Sequence, residues 1–222
     1  MGDMDNCYKY LDSLFVIEPY LDEPRERSKI YTTRGGCLFQ FGDYEAALAD
    51  YKQADAILAS KYPENDVERI GLYPLIGGVE HKLNHYSESE HCYRLYADMI
   101  KEIYGERSLK YINAQIYLAN AQGFAGNIEN GCDNYTLAVT KMKNLIKERM
   151  PYMNTAEREG FWGPLSLLLT TMTPYALEAK LYQTEYTQTC YDALLTSKAF
   201  LLSTERSLYD IVKREGDETD LK

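Results

Sequence analysis

Phe41-Gly-Asp-Tyr-Glu-Ala-Ala-Leu48 is the stretch that decides the fold, because two later stretches repeat its pattern. They are Leu83-Asn-His-Tyr-Ser-Glu-Ser-Glu90 and Ala125-Gly-Asn-Ile-Glu-Asn-Gly-Cys132, and each begins 42 residues after the one before it. Self-similarity at a fixed period is the sequence signature of a repeat architecture. We therefore expect one structural unit to occur three times.

Five kinds of position agree among the three units. In chain order they are a small residue, a turn residue that tolerates positive φ, a large apolar residue, a second small residue and a tyrosine. The five sets are Gly35, Gly77 and Ala119; Gly42, Asn84 and Gly126; Tyr44, Tyr86 and Ile128; Ala47, Ser89 and Gly131; and Tyr51, Tyr93 and Tyr135. Two small residues, one on each helix, let paired helices approach closely, so each unit is predicted to be an antiparallel helix pair.

This pattern resembles the tetratricopeptide repeat. The match is good over Gly35–Ala54, but Tyr96 stands where the family has Ala, and Ile128 and Gly131 replace an aromatic residue and Ala. The family period is usually 34 residues, so a period of 42 predicts helices about one turn longer, of about 17 residues. The resemblance implies an all-α, right-handed superhelix of antiparallel helix pairs, and no stretch has the alternation of a β-strand.

The remaining sequence defines the boundaries of the predicted elements. We expect helices at about 4–20, 26–41, 44–61, 66–83, 86–103, 108–124, 128–149, 185–202 and 204–214. Asn154-Thr-Ala-Glu157 is a capping box, and the helix that it starts is predicted to run to about Tyr182, with kinks at Gly163-Pro164 and Pro174. The predicted division is a partial helix of a preceding repeat over 1–25, three repeats over 26–149 and extra C-terminal helices over 150–222.

Two segments of the C-terminal part resemble the linker between a tetratricopeptide array and a CHAT domain, the caspase-like peptidase module. One is Glu157-Arg158-Glu159 followed by Phe161-Trp162, and the other is Cys190–Leu202. The resemblance implies that a peptidase domain with a His–Cys dyad begins about where this chain ends, at Lys222, and that the source is bacterial. No catalytic residue is carried over, since no position matches the dyad motifs.

Composition and charge exclude several classes of function. The net charge is −10, from 24 Lys and Arg against 34 Asp and Glu, which disfavours nucleic acid and anionic membranes as partners and fits a basic partner. The five cysteines form no C-x-x-C pair, so reduced thiols in the cytoplasm are expected. No run of 18 apolar residues could span a membrane.

The histidines are the candidates for metal or catalytic chemistry. His81 and His85 are four residues apart, but the repeat pattern places His85 in a turn and His91 on the next helix. A dyad of His85 or His91 with Cys92 lacks an oxyanion site. No metal, cofactor or catalytic residue is therefore predicted, and a metal-binding protein remains a remote alternative.

A protein-interaction scaffold is the predicted function, with a protein or peptide as partner, and the peptidase domain of the same protein is one candidate for that partner. In the family the first helix of each repeat faces the binding groove, which yields a set of groove candidates. They are Lys29, Thr32, Phe39, Gln40, Pro74, His81, Lys82, Asn113, Ile116, Asn120 and Phe124, together with Gly36, Gly78 and Gly123. The alternative is a structural or oligomerising spacer without a groove, and the oligomeric state is left open.

Overall fold

Antiparallel pairs of α-helices make up most of the regular structure in the part of the chain that the structure describes. The computed structural model describes residues 13, 15–149, 152–154, 156–158, 160–161, 163, 166–167, 170–171 and 185–215, with the backbone alone at 199, 201 and 203–215. A short 3-10 helix spans Glu18–Tyr20, and the main α-helices are α1 (Pro24–Phe41), α2 (Tyr44–Ala59), α3 (Val67–Lys82), α4 (Tyr86–Tyr104), α5 (Leu109–Phe124), α6 (Ile128–Arg149) and α7 (Glu185–Glu215). No strand occurs in the described residues, so the predicted all-α class is confirmed.

The three turns within the helix pairs have the conformation that the repeat pattern predicts. Gly42, Asn84 and Gly126 have φ values of 85°, 63° and 87°. After each of them, the next backbone N–H donates to the carbonyl oxygen five positions back, at 2.8–2.9 Å. This is the Schellman pattern, which satisfies carbonyl groups at the end of a helix. The same backbone device therefore closes α1, α3 and α5.

The small residues of the pattern are contact points between paired helices. A Cβ atom at Gly35 would lie 2.8 Å from Cε1 of Tyr51, and one at Gly77 would lie 3.1 Å from Cε2 of Tyr93. Ala47 is fully buried. A Cβ atom would therefore clash with the Tyr51 ring at Gly35 and would press on the Tyr93 ring at Gly77.

The chain forms two compact units, Met1–Ile103 and Tyr104–Lys222. In the first unit, α1, α2 and α3 enclose small apolar clusters built around residues such as Leu38, Val79 and Leu58. In the second unit, α5, α6 and α7 share one larger core, in which the rings of Tyr135 and Tyr186 lie 6.0 Å apart.

The C-terminal part differs from its prediction in one respect. The sequence predicts separate helices at 185–202 and 204–214, but α7 is continuous over Glu185–Glu215. The predicted capping box is present, since the Asn154 backbone N–H donates to Glu157 at 2.8 Å and the Glu157 N–H donates back to Asn154 at 3.0 Å. The described residues from 156 to 171 are helical. The predicted kinks at Pro164 and Pro174 lie outside the described residues, as does most of the predicted helix 4–20.

Candidate interaction surface

A cavity of about 290 Å³ lies between α1 and α3, the first helices of the first two repeats. Leu58 and Leu72 are buried at its base, and Leu75 is 37% exposed at its edge. Gly71 leaves the space open, since a Cβ atom at this position would meet no other atom within 4 Å. The complete lining is Ser28, Lys29, Thr32, Thr33, Leu58, Glu68, Gly71, Leu72 and Leu75.

Hydroxyl groups of α1 form one wall of the cavity. Thr32 Oγ1 donates to the Ser28 carbonyl oxygen at 2.9 Å, and Thr33 Oγ1 donates to the Lys29 carbonyl oxygen at 2.7 Å. Because these bonds use the hydroxyl protons, the oxygen lone pairs remain available as acceptors. The wall therefore offers acceptors, and the neighbouring ammonium group of Lys29 offers donors.

Two lysines add positive charge to the face formed by α1 and α3, beside the cavity. Lys29 and Lys82 are exposed, and neither forms an ion pair with a residue that the structure describes. The carboxylate of Glu68 is 3.7 Å from Arg25, which also pairs with Asp66 at 2.7 Å. This face thus carries cationic groups that are not neutralised, although the net charge of the chain is −10.

The other groove candidates of the first unit have varied surroundings. The ring of Phe39 lies 5.5 Å from that of Tyr44, so it packs against the turn between α1 and α2. Gln40 is exposed, and Pro74 is half-buried within α3. Burial, followed by the charge of Lys82, lowers the pKa of His81, so its imidazole is neutral at pH 7.

The groove candidates on α5 belong to the second unit, and the prediction for one of them, Ile116, is wrong. Ile116 is fully buried in the core of that unit and cannot line a groove. Burying a branched aliphatic side chain is worth about 1.5–3 kcal/mol, which explains why Ile116 faces the core although the repeat alignment matches it to Thr32. Asn113, Asn120 and Gly123 are half-buried, and Phe124 is 40% exposed.

Several lining residues were not predicted as groove residues. Leu58, Leu72 and Leu75 look like ordinary core positions in the sequence. Gly71 carried a usable signal, because an isolated glycine inside a helix costs about 1 kcal/mol relative to alanine and often has a packing or functional reason.

The described residues also bear on metal binding and on membrane insertion. Among the described residues, no group of three or more His, Cys, Asp and Glu side chains is arranged to hold a metal ion. His85 Nδ1 instead lies 2.8 Å from Glu80 Oε2. No helix in the described part of the chain is long and apolar enough to cross a membrane.

The fold is similar to those of solved proteins, although no family model and no curated protein matches the sequence. BtubC (BKLC) from P. vanneervenii matches with a TM-score of 0.66 at 13% identity, over 94% of this chain and 75% of that one. A putative kinesin light chain of Podosopora anserina with nearly identical TPR-like repeats matches with a TM-score of 0.62 at 12% identity, over 88% of each chain. The chain therefore has the all-α fold of tetratricopeptide-like repeat proteins.

Proposed function

We propose that this chain is a protein-interaction scaffold and that it binds a peptide segment of a partner protein between α1 and α3. The cavity beside Gly71 is the observation that carries the proposal. Its volume is at the lower end of the range for ligand pockets, about 300–1,000 Å³, which suits one or two apolar side chains of a peptide. The tetratricopeptide-like fold supports this class of function by analogy.

The surroundings of the cavity favour a particular kind of peptide. Leu58, Leu72 and Leu75 provide an apolar environment for an aliphatic or aromatic side chain. Lys29 at the cavity and Lys82 further along the face attract carboxylates, because like charges are disfavoured and opposite charges favoured across an interface. The partner segment therefore contains an apolar residue flanked by acidic residues. This differs from the basic partner that the net charge alone favours.

Filling the cavity tests this proposal. We expect the purified chain to select dodecapeptides from a random phage-displayed library, and Gly71→Leu to bind the selected peptides at least about tenfold more weakly, as for a lost anchor contact. Leucine is a better helix former than glycine, so this variant should melt no lower than the wild type. Gln53→Leu adds the same side chain at an exposed position of α2 and serves as the control.

Two results would contradict the peptide site. One is equal binding of the selected peptides by Gly71→Leu and the wild type. The other is selection of peptides without acidic residues, combined with unchanged binding by Lys29→Glu. The first result would show that the cavity is not part of the peptide site, and the second would show that the site has no preference for acidic residues.

A finer proposal concerns the parent protein. We infer from the resemblance of Cys190–Leu202 and the segment around Phe161 that the chain is a regulatory or substrate-recognition region of a bacterial, cytoplasmic CHAT-type peptidase protein. The rings of Phe161 and Phe200 stack at 6.5 Å, which joins the two resembling segments in one packed structure. The reading frame beyond Lys222 tests the proposal, and a frame that encodes no His–Cys α/β domain would refute it.

The spacer function has its own supporting observation. On α7, an exposed apolar stripe faces away from the core residues Tyr186, Ala193 and Phe200. The stripe consists of Tyr191, Leu194, Leu195 and Leu202. A spacer or oligomerisation role predicts self-association without peptide capture, and light scattering that shows a monomer at all concentrations would rule it out.

A further inference from the structure

The hydroxyl group of Tyr51 lies beside a part of the α1 surface that carries no side chain. The ring lies against Gly35, whose Cβ position is 2.8 Å from Cε1 and 3.2 Å from Cζ. The Oη atom extends past this contact toward Gly36, whose Cβ position is 3.8 Å away. Gly36 is half-buried, and its spacing places it on the same face of α1 as Thr32 and Thr33, which line the cavity.

This hydroxyl is a polar group on an almost fully buried side chain. Tyr51 is 3% exposed, and no hydrogen bond joins its hydroxyl to any residue that the structure describes. Burial, with a smaller contribution from the charge of Asp50, raises the pKa of Tyr51. The group therefore keeps its proton at neutral pH and can both donate and accept a hydrogen bond.

The ring contact and the neighbouring second glycine occur again in the second repeat. The Tyr93 ring packs against Gly77, and its Oη atom is 3.5 Å from the Cβ position of Gly78. In both repeats, the second glycine of a Gly-Gly pair leaves the space next to a tyrosine hydroxyl open. Because only the first glycine is needed for the ring contact, close helix packing does not explain the second one.

We propose that the Tyr51 hydroxyl hydrogen-bonds to a main-chain amide of an extended peptide that lies along α1. This inference deepens the proposed function and rests on it. With glycine at position 36, a ligand can approach the helix backbone closely enough to reach Oη, and an extended main chain is narrow enough to do so. A peptide amide also presents both a donor and an acceptor, whereas a carboxylate only accepts and is better matched to Lys29.

Removing the hydroxyl tests the inference. Tyr51→Phe should bind the dodecapeptides selected on the wild type about five- to tenfold more weakly in fluorescence polarisation, as for one lost hydrogen bond. Gly36→Ala should weaken binding in the same direction while melting at the same or a higher temperature, because its methyl group would cover Oη. Tyr73→Phe is the control. It also loses a tyrosine hydrogen bond, of 3.0 Å to Glu64, but Tyr73 lies about 200° around α3 from Gly71.

A backbone-ester scan of the selected peptide distinguishes a main-chain contact from an indirect effect. At one position, the ester should weaken binding to the wild type but not to Tyr51→Phe, because both changes remove the same hydrogen bond. Additive effects at every position, or binding by Tyr51→Phe within about twofold of the wild type, would overturn the inference. If Gly71→Leu loses binding in that case, the peptide site stands without Tyr51; if the wild type selects no peptide, both proposals fail.

Discussion

The adjacent residues Gly35 and Gly36 should respond oppositely to the same substitution. In Gly35→Ala, the new methyl group would lie 2.8 Å from Cε1 and 2.9 Å from Cδ1 of Tyr51, against a normal carbon–carbon separation of about 3.5–4.0 Å. The ring is 3% exposed, so it cannot move into solvent. In Gly36→Ala, the methyl group would meet only Tyr51 Oη, at 3.8 Å.

The expected magnitudes follow from these contacts. Overpacking a well-packed site costs about 1–3 kcal/mol, and replacing glycine by alanine inside a helix gains about 0.5–1 kcal/mol. Gly35→Ala should therefore lower the free energy of unfolding by about 1–2 kcal/mol after this offset. Gly36→Ala should raise it by up to about 1 kcal/mol.

Urea denaturation followed by circular dichroism measures both variants. Because repeat proteins do not always unfold in one step, hydrogen exchange of the α1 and α2 amides should accompany it. Tyr51→Leu completes a double-mutant cycle with Gly35→Ala. The double variant should lose about 1 kcal/mol less unfolding free energy than the sum of the losses in the two single variants. A Gly35→Ala variant as stable as Gly36→Ala would refute the proposed contact between the ring and the backbone.

Two more predictions concern a turn and a thiol. Gly42 has a φ of 85°, so Gly42→Ala should destabilise the chain by about 1–2 kcal/mol, whereas Gly42→Asn should cost less. Thermal melting compares the two variants, and equal melting temperatures would contradict the prediction. Burial raises the pKa of the Cys92 thiol from 9.0 to about 11, so its thiolate fraction at pH 8 is about a hundredfold lower than that of an ordinary thiol. Iodoacetamide labelling with peptide mapping should show slow alkylation of Cys92 in the native chain and fast alkylation in urea, and equal rates would contradict it.

The sequence predicts most helices and turns because their determinants are local. Positive φ at Gly42, Asn84 and Gly126 follows from the residue types and their 42-residue spacing, and the same spacing locates the contacts of Gly35 and Gly77. These features need only the repeat pattern and the geometry of a helix pair. The α7 boundary is different: Ser203 and Thr204 favour a helix start, but each costs only about 0.5 kcal/mol inside a helix, so the continuous helix is accessible.

The candidate site is less predictable because it depends on distances between helices. Whether a residue on α1 faces a cavity or a neighbouring side chain is decided by the helix next to it. Ile116 shows this, since it matches Thr32 in the repeat alignment but is buried in the second unit. The opening beside Gly71 likewise arises from Leu58 and Leu72, which belong to two different helices, and no spacing along the chain encodes that.

The tyrosines of the repeat pattern carry information beyond packing. At position 51, phenylalanine would make the same ring contact with Gly35, so this contact does not account for the hydroxyl. A purely structural role at position 51 could therefore be filled by phenylalanine, whereas the chain has tyrosine there. Glycine at 36 points the same way, since alanine there would stabilise the helix and make only an ordinary contact with Oη. Glycine at 36 lowers helix stability and leaves the Tyr51 hydroxyl open, and a bound main chain is the use that accounts for the two residues together.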